Sequence, residues 1–255
     1  MFTNPSWPFE SDAPSAVFFD LDDTLIDTAG QLVDLALEDA ADAMQRAGLG
    51  ADRGELIDFL RSKARAAQGG NYFAAAVERF SQDCAGSSLS SVAIEARTAF
   101  FAADVPDLEP LPGCRRLLRQ LRERGCRLFL ITAGNPKTQR KKIDRLGFAE
   151  TFDAIAYVNS LEGETKLPAF QQLLARFAFD PSGCLCVGDR VVGEIRDANS
   201  LGMWTVRIRG GEFAAVEPSH ANEVPDFTVA GLHELATLLA GRGESVVGLG
   251  GRTCG

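Results

Sequence analysis

The sequence predicts an α/β protein: a parallel sheet flanked by helices, with a small helical bundle inserted near its start. Three observations predict it. Five apolar runs of strand length, AVFFD (16–20), CRLFLIT (126–132), FDAIAYV (152–158), CLCVGD (184–189) and MWTVRI (203–208), are separated by helical segments from Cys114 onward. That alternation is what strands buried on both faces by crossover helices produce. A proline-free stretch from Ser15 to Val105 carries helix-period stripes instead, and Pro106, Pro110 and Pro112 in VPDLEPLPG close it.

In chain order, residues 1–14 read as a loose arm, without the basic stretch and uninterrupted apolar run of a leader peptide. AVFFD is the first strand. Leu32, Leu35, Ala36, Ala40, Ala43 and Ala47 then recur at helical spacing until AGLG stops them. Leu56, Phe59, Leu60 and Ala64 form a stripe before Gly69 and Gly70; Phe73, Ala76, Val77 and Phe80 form one after a capping Asn71; Leu89, Val92, Ala96 and Phe100 form another. These four short helices predict a bundle over 31–105. The helical segments CRRLLRQLRERG, KTQRKKIDRLG, PAFQQLLARF and EIRDANSLG space the later strands, so 15–30 and 106–240 form a Rossmann-like core. The glycine-rich tail, 241–255, reads as disordered.

A net charge of -9 and a pI near 4.9 argue against nucleic acid and anionic membranes as partners. No run reaches the roughly 18 apolar residues of a membrane span. The six cysteines show no CxxC pair, and with only His220 and His233 beside them a zinc site is not expected. Cys184 and Cys186 alternate along one strand and should share a buried face; reduced thiols point to the cytoplasm.

In such sheets ligands bind beyond the carboxyl ends of the strands, where strand order reverses. Asp20 and Asp22 close the first run, Thr132 the second and Asp189 the fourth, while Lys166 precedes a helix that Pro168 can start. Gathered carboxylates repel and raise one another's pKa unless a cation or shared proton offsets them. Mg2+ is suited to that role, since it takes one or two carboxylates plus waters and phosphate oxygens. Each residue also has a plainer reading. Asp22, Asp23 and Thr24 would cap a helix; Thr132 would satisfy a strand end; Lys166 would be a solvated surface lysine, as Lys137, Arg140, Lys141, Lys142 and Arg145 are read to be. A calcium loop fails, because Leu25 and Gln31 stand where its glycine and glutamate belong.

Taken together, DLDDT (20–24), LITAGN ending a strand at Thr132, Lys166 in GETKLPAF and VGDRVVGEI (187–195) resemble the haloacid dehalogenase-like hydrolases in order and strand placement. The inserted bundle looks like that family's helical cap of the first class. The resemblance implies Asp20 as nucleophile, Asp22 as general acid and base, Thr132 and Lys166 as phosphoryl contacts, and Asp20, Asp22, Asp189 and Glu194 around Mg2+, with Asp22 offering a backbone carbonyl. It implies a phosphatase hydrolysing a small-metabolite phosphomonoester through an aspartyl-phosphate. A phosphomutase, a dehalogenase or a non-catalytic interaction protein on the same fold are the alternatives, and Asp22 speaks against the dehalogenase. The pattern departs at Ala133, at Leu167 between Lys166 and Pro168, and at Glu194, with Asp197 as competitor for the metal. Arg65, Gln68, Asn71 and Arg79 are the polar cap positions facing a substrate choice that the sequence does not rank.

Overall fold

The computed structural model of the protein describes residues 7–9, 13–66, 72–81, 89–102 and 108–240. The chain divides into two compact units, one of Met1–Asp27 with Asp107–Gly255 and one of Thr28–Pro106.

The second unit is helical. A wide turn, Ala29–Val33, leads into α1 (Asp34–Arg46), followed by α2 (Arg53–Ala66), α3 (Tyr72–Phe80) and α4 (Leu89–Ala102). Its core joins Leu37, Ala40, Ala41 and Met44 of α1 to Leu56 and Leu60 of α2, Phe73 and Val77 of α3, and Val92 and Ala96 of α4. The predicted stripe on α1 is corrected at Leu35, which is half exposed, because the buried face turns through Leu37, Ala41 and Met44 instead. Outside the core, Arg53 pairs with Asp42 at 2.6 Å and Arg61 with Asp34 at 3.1 Å, clamping α2 to α1. Arg79 lies over the Phe59 and Phe80 rings, 5.9 and 5.3 Å from their centroids. Gly69, Gly70, the expected cap at Asn71, Gln68 and the side chain of Arg65 fall outside the described residues, and so does the tail from 241.

The first unit is a six-stranded sheet: β1 (Ala16–Phe19), β2 (Arg127–Gly134), β3 (Ala154–Asn159), β4 (Cys184–Gly188), β5 (Trp204–Ile208) and β6 (Phe227–Val229). The order is β3-β2-β1-β4-β5-β6 and every pairing is parallel. Helices α5 (Cys114–Glu123), α6 (Pro136–Leu146), α7 (Leu167–Phe177), α8 (Arg196–Ser200) and α9 (Leu232–Leu239) make the crossovers and the close of the chain's described part. β1 and β4 are buried at every position, as central strands covered on both faces must be. One face joins Phe18, Phe129, Ile131, Cys184 and Cys186 to Phe170, Leu173 and Leu174 of α7, with Phe18 stacked on Phe129 at 4.8 Å. Cys184 and Cys186 thus share a face, unpaired and buried.

Two features depart from expectation. β6 is a sixth strand that three residues could not announce. The arm is not loose throughout: Trp7 and Phe9 are buried, and the Trp7 ring meets Phe227 of β6 edge-on at 5.2 Å. Burying two aromatic rings contributes about 2–3 kcal/mol each, which suffices to seat a short terminal segment. Among the described residues no helix is long and apolar enough to cross a membrane.

Candidate active site

The strand order reverses between β1 and β4, so the crevice at their carboxyl ends is where this sheet exposes its strand-end residues together. Phe19 pairs with Leu130 on one side and Val187 on the other, and the Asp20 amide continues the ladder by donating to the Val187 carbonyl at 2.9 Å. Asp20 therefore leaves the sheet beside Asp189, which comes directly after Gly188, and near Thr132, which lies two residues beyond Leu130.

Asp20, Asp189 and Glu194 form the acidic cluster that this register predicts, with one carboxylate oxygen from each lying within 4.8 Å of the others, all three buried. Lys166, the residue just before α7, reaches into it. Its Nζ stands 2.7 Å from Asp20 Oδ1 and 3.0 Å from Glu194 Oε2. The leucine inserted between Lys166 and Pro168 does not keep the ammonium from the cluster.

Burial governs the protonation of this group. It pushes the Asp20 carboxyl up to about 6, against the pull of Lys166 and with the push of Glu194 and Asp22. Burial alone would lower Lys166, yet Asp20 and Glu194 outweigh it and hold the ammonium charged. Glu194 is also opposed by burial, but Lys166 and the Arg190 amide, donating to Oε1 at 2.7 Å, keep it below the ordinary glutamate range. Asp189 fares differently: burial, then Glu194 and Asp20, drive it well above the usual carboxylate range. Its Oδ1 is buried with no hydrogen-bond partner.

Gly188 makes this packing possible. A Cβ there would stand 2.3 Å from Glu194 Cγ, so only glycine lets the 191–195 turn fold back against the end of β4. Asp197, the competitor for the metal, is engaged elsewhere: its carboxylate accepts from the Leu167 amide.

Asp22 stands apart from the triad. Its Oδ1 accepts from Lys142 Nζ at 2.6 Å and its Oδ2 from Gln139 Nε2 at 2.6 Å. The same amide nitrogen lies 2.6 Å from Thr132 Oγ1 and 3.0 Å from the Ala133 carbonyl. The reading of α6 as a wholly solvated basic face is corrected here, since Lys142 is buried while Lys137, Arg140, Lys141 and Arg145 are exposed. Gln139 was not foreseen at all. The available signal was its i, i+3 spacing from Lys142, which puts both on the helix face that also buries Ile143 and Leu146.

Asp23 makes a backbone contact of its own. Its backbone is left-handed at φ 53, and its carboxylate accepts from the Glu212 amide at 3.1 Å. Thr24 Oγ1 is buried without a hydrogen-bond partner.

A strand-end carboxylate, a buried lysine and a cluster of three buried carboxylates now stand together at residues of the four motifs. The profile described as haloacid dehalogenase-like hydrolase matches residues 14–202. The chain belongs to that family. It is a hydrolase whose relatives include the glyceraldehyde 3-phosphate phosphatase of Methanopyrus kandleri, 32% identical over 86% of this chain and 94% of the relative. The glyceraldehyde 3-phosphate phosphatase of Pyrococcus abyssi is 34% identical over 77% and 82%. Among solved structures, the putative HAD-hydrolase YfnB from Bacillus subtilis, bound to magnesium, shares the fold with a TM-score of 0.59 at 17% identity, covering 89% of this chain and 99% of YfnB.

Proposed function

We propose that the protein is a Mg2+-dependent, cytoplasmic phosphomonoesterase acting on a small phosphorylated sugar, with the helical unit as its cap. The observation that carries this reading is the Asp20–Lys166 contact of 2.7 Å beside the buried, unpartnered oxygen of Asp189. A carboxylate at a strand end with a fixed ammonium against it suits attack on phosphorus, a reaction that asks for positioning and charge neutralisation above all.

The residues fit a hard dication. The cluster offers oxygen donors only, and Asp189 Oδ1 has no protein partner to displace. Asp20 and Asp189 would hold the ion directly. Both oxygens of Glu194 already accept hydrogen bonds, so its part is to fix Lys166 and the 190–195 turn around the ion. Asp22 has its carboxylate committed to Lys142 and Gln139, which leaves its backbone carbonyl for the metal. When bound, Mg2+ supplies charge neutralisation for the phosphoryl oxygens.

A free oxygen of Asp20 forms the bond to phosphorus while the bond from phosphorus to the ester oxygen breaks, and Asp22 delivers a proton to the departing alcohol. Water then attacks the aspartyl-phosphate, Asp22 takes its proton, and inorganic phosphate leaves as Asp20 is restored. Lys166 faces the phosphoryl group, and Thr132, whose oxygen accepts from Gln139, keeps its own proton to donate to it. The sugar-phosphate class is supported by relatives named for glyceraldehyde 3-phosphate, at roughly 30% identity. Four buried, unpaired cysteines support a reducing compartment.

The test is release of inorganic phosphate from a panel of sugar phosphates with and without Mg2+. Activity that needs Mg2+ and vanishes in Asp20→Asn is expected; Mg2+-independent halide release, or isomerised sugar phosphate without free phosphate, would overturn the reading.

A further inference from the structure

The contacts around Asp22 are more elaborate than a strand-end carboxylate requires. Lys142 lies 120 residues away in the chain, Gln139 117, and α6 brings one to each oxygen of this one carboxylate at 2.6 Å. Lys142 is buried to reach it, although a lysine on a helix otherwise gains by keeping its ammonium in water. Gln139 ties the arrangement to the strand: its amide nitrogen meets Thr132 Oγ1 and the Ala133 carbonyl as well as Asp22. Two carboxylate oxygens held from a rigid helix leave the group with little rotational freedom.

We infer that Lys142 is a positioning residue for proton transfer by Asp22, a role that rests on the phosphatase reading above and deepens it. The argument is one of geometry. A proton donor must sit within hydrogen-bond reach of the ester oxygen at the moment that bond breaks, and an unanchored aspartate spends most of its time in other rotamers. Lys142 grips Oδ1 and Gln139 grips Oδ2, so the carboxylate plane is set by α6 and not by the loop that carries it. Asp23, one residue on, accepts from the Glu212 amide and packs against Gly211, where a Cβ would stand 2.3 Å from Asp23 Cγ, which gives the loop a second anchor.

The experiment compares kcat/KM of wild type and Lys142→Met on two substrates with Mg2+ present: an alkyl phosphate, whose alkoxide leaves only with a proton, and p-nitrophenyl phosphate, whose phenolate leaves without one. The ratio of the two values does not depend on how much of the variant is folded. Lys142→Met is expected to lower the alkyl value by at least about tenfold, within the range that positioned acids supply, and the aryl value by less than about twofold. In an Asp22→Asn background the same substitution is expected to change neither value further, because its effect passes through Asp22. Equal losses on both substrates, or a further loss in the Asp22→Asn background, would overturn the inference. The underlying phosphatase reading fails separately, if Asp20→Asn or Asp22→Asn leaves alkyl phosphate hydrolysis intact.

Discussion

Asp189→Asn should inactivate the protein and at the same time stabilise its metal-free fold. Asp189 is 2% exposed and brings an oxygen within 4.8 Å of those of Asp20 and Glu194. At an effective dielectric near 20, two unit charges at that separation repel by about 3 kcal/mol. Asp189 meets two such repulsions, a lesser one from Asp23 and one attraction, from Lys166, so to first order about 3 kcal/mol of strain disappears when its charge is removed. The pH dependence comes from the sign of the shift. A carboxyl raised in the folded state costs nothing below its ordinary value, and its cost accrues as pH rises from that value to the raised one and is constant above it. Asp189 is raised well above 3.8 and Asp20 to about 6, so the advantage of the asparagine should be largest at neutral pH and fade below about pH 4. Urea unfolding in EDTA measures it: about 3 kcal/mol is a midpoint shift of roughly 1 M. Mg2+ should close that gap, raising wild type by about 2.7 kcal/mol at a hundredfold excess over its dissociation constant and by about 4.1 kcal/mol at a thousandfold excess, where the ranking reverses, and the variant not at all. An asparagine variant less stable than wild type in EDTA, or equally stabilised by Mg2+, would refute the reasoning.

The packing sets two further outcomes. Gly188→Ala places a methyl 2.3 Å from Glu194 Cγ and should cost at least about 3 kcal/mol, together with Mg2+ binding, because displaced Glu194 releases Lys166; thermal scans with and without Mg2+ would show both, and a variant as stable as wild type would mean the turn is not packed as described. Burial pushes the thiols of Cys114 and Cys184 up to about 12 and that of Cys186 well above its ordinary value, so a charged disulfide reagent at mildly alkaline pH should spare them in the native protein and modify them on unfolding; rapid native labelling of Cys186, mapped by mass spectrometry, would contradict its place in the sheet.

The central fold was legible because its strands are long enough to carry a pattern. β1, β2 and β4 carry apolar runs, and the first polar residue after the run lies just past the strand in β1 and β4, at Asp20 and Asp189, whereas β2 continues two residues beyond Thr132 to Gly134. β6 offers only Phe227, Thr228 and Val229, too few to distinguish a strand from a loop, and its partner Trp7 lies more than two hundred residues earlier in an arm of mixed composition. The same limit hid part of the site. Helix periodicity assigns Lys142 and Gln139 to a face, but only the crossover from β2 through α6 reveals that this face looks onto the strand-end crevice. Burial of a lysine is decided by the partner it finds, and that partner was on a different element.

The site separates two charge problems that the sequence presented as one. The family resemblance implied Asp20, Asp22, Asp189 and Glu194 around one ion, Asp22 through its backbone carbonyl. In the fold, Asp22 is balanced locally: one ammonium and one amide meet its two oxygens, so its side chain needs no ion. The remaining three carboxylates share the ammonium of Lys166, so ionising all three leaves two negative charges over within the cluster, the charge of one divalent cation. Burial makes that deficit expensive and concentrates it on Asp189, the member with no hydrogen bond at Oδ1. The division suits the chemistry. A group that shuttles protons must not be held by a metal through the same oxygens, whereas a group that binds one gains by having no other partner.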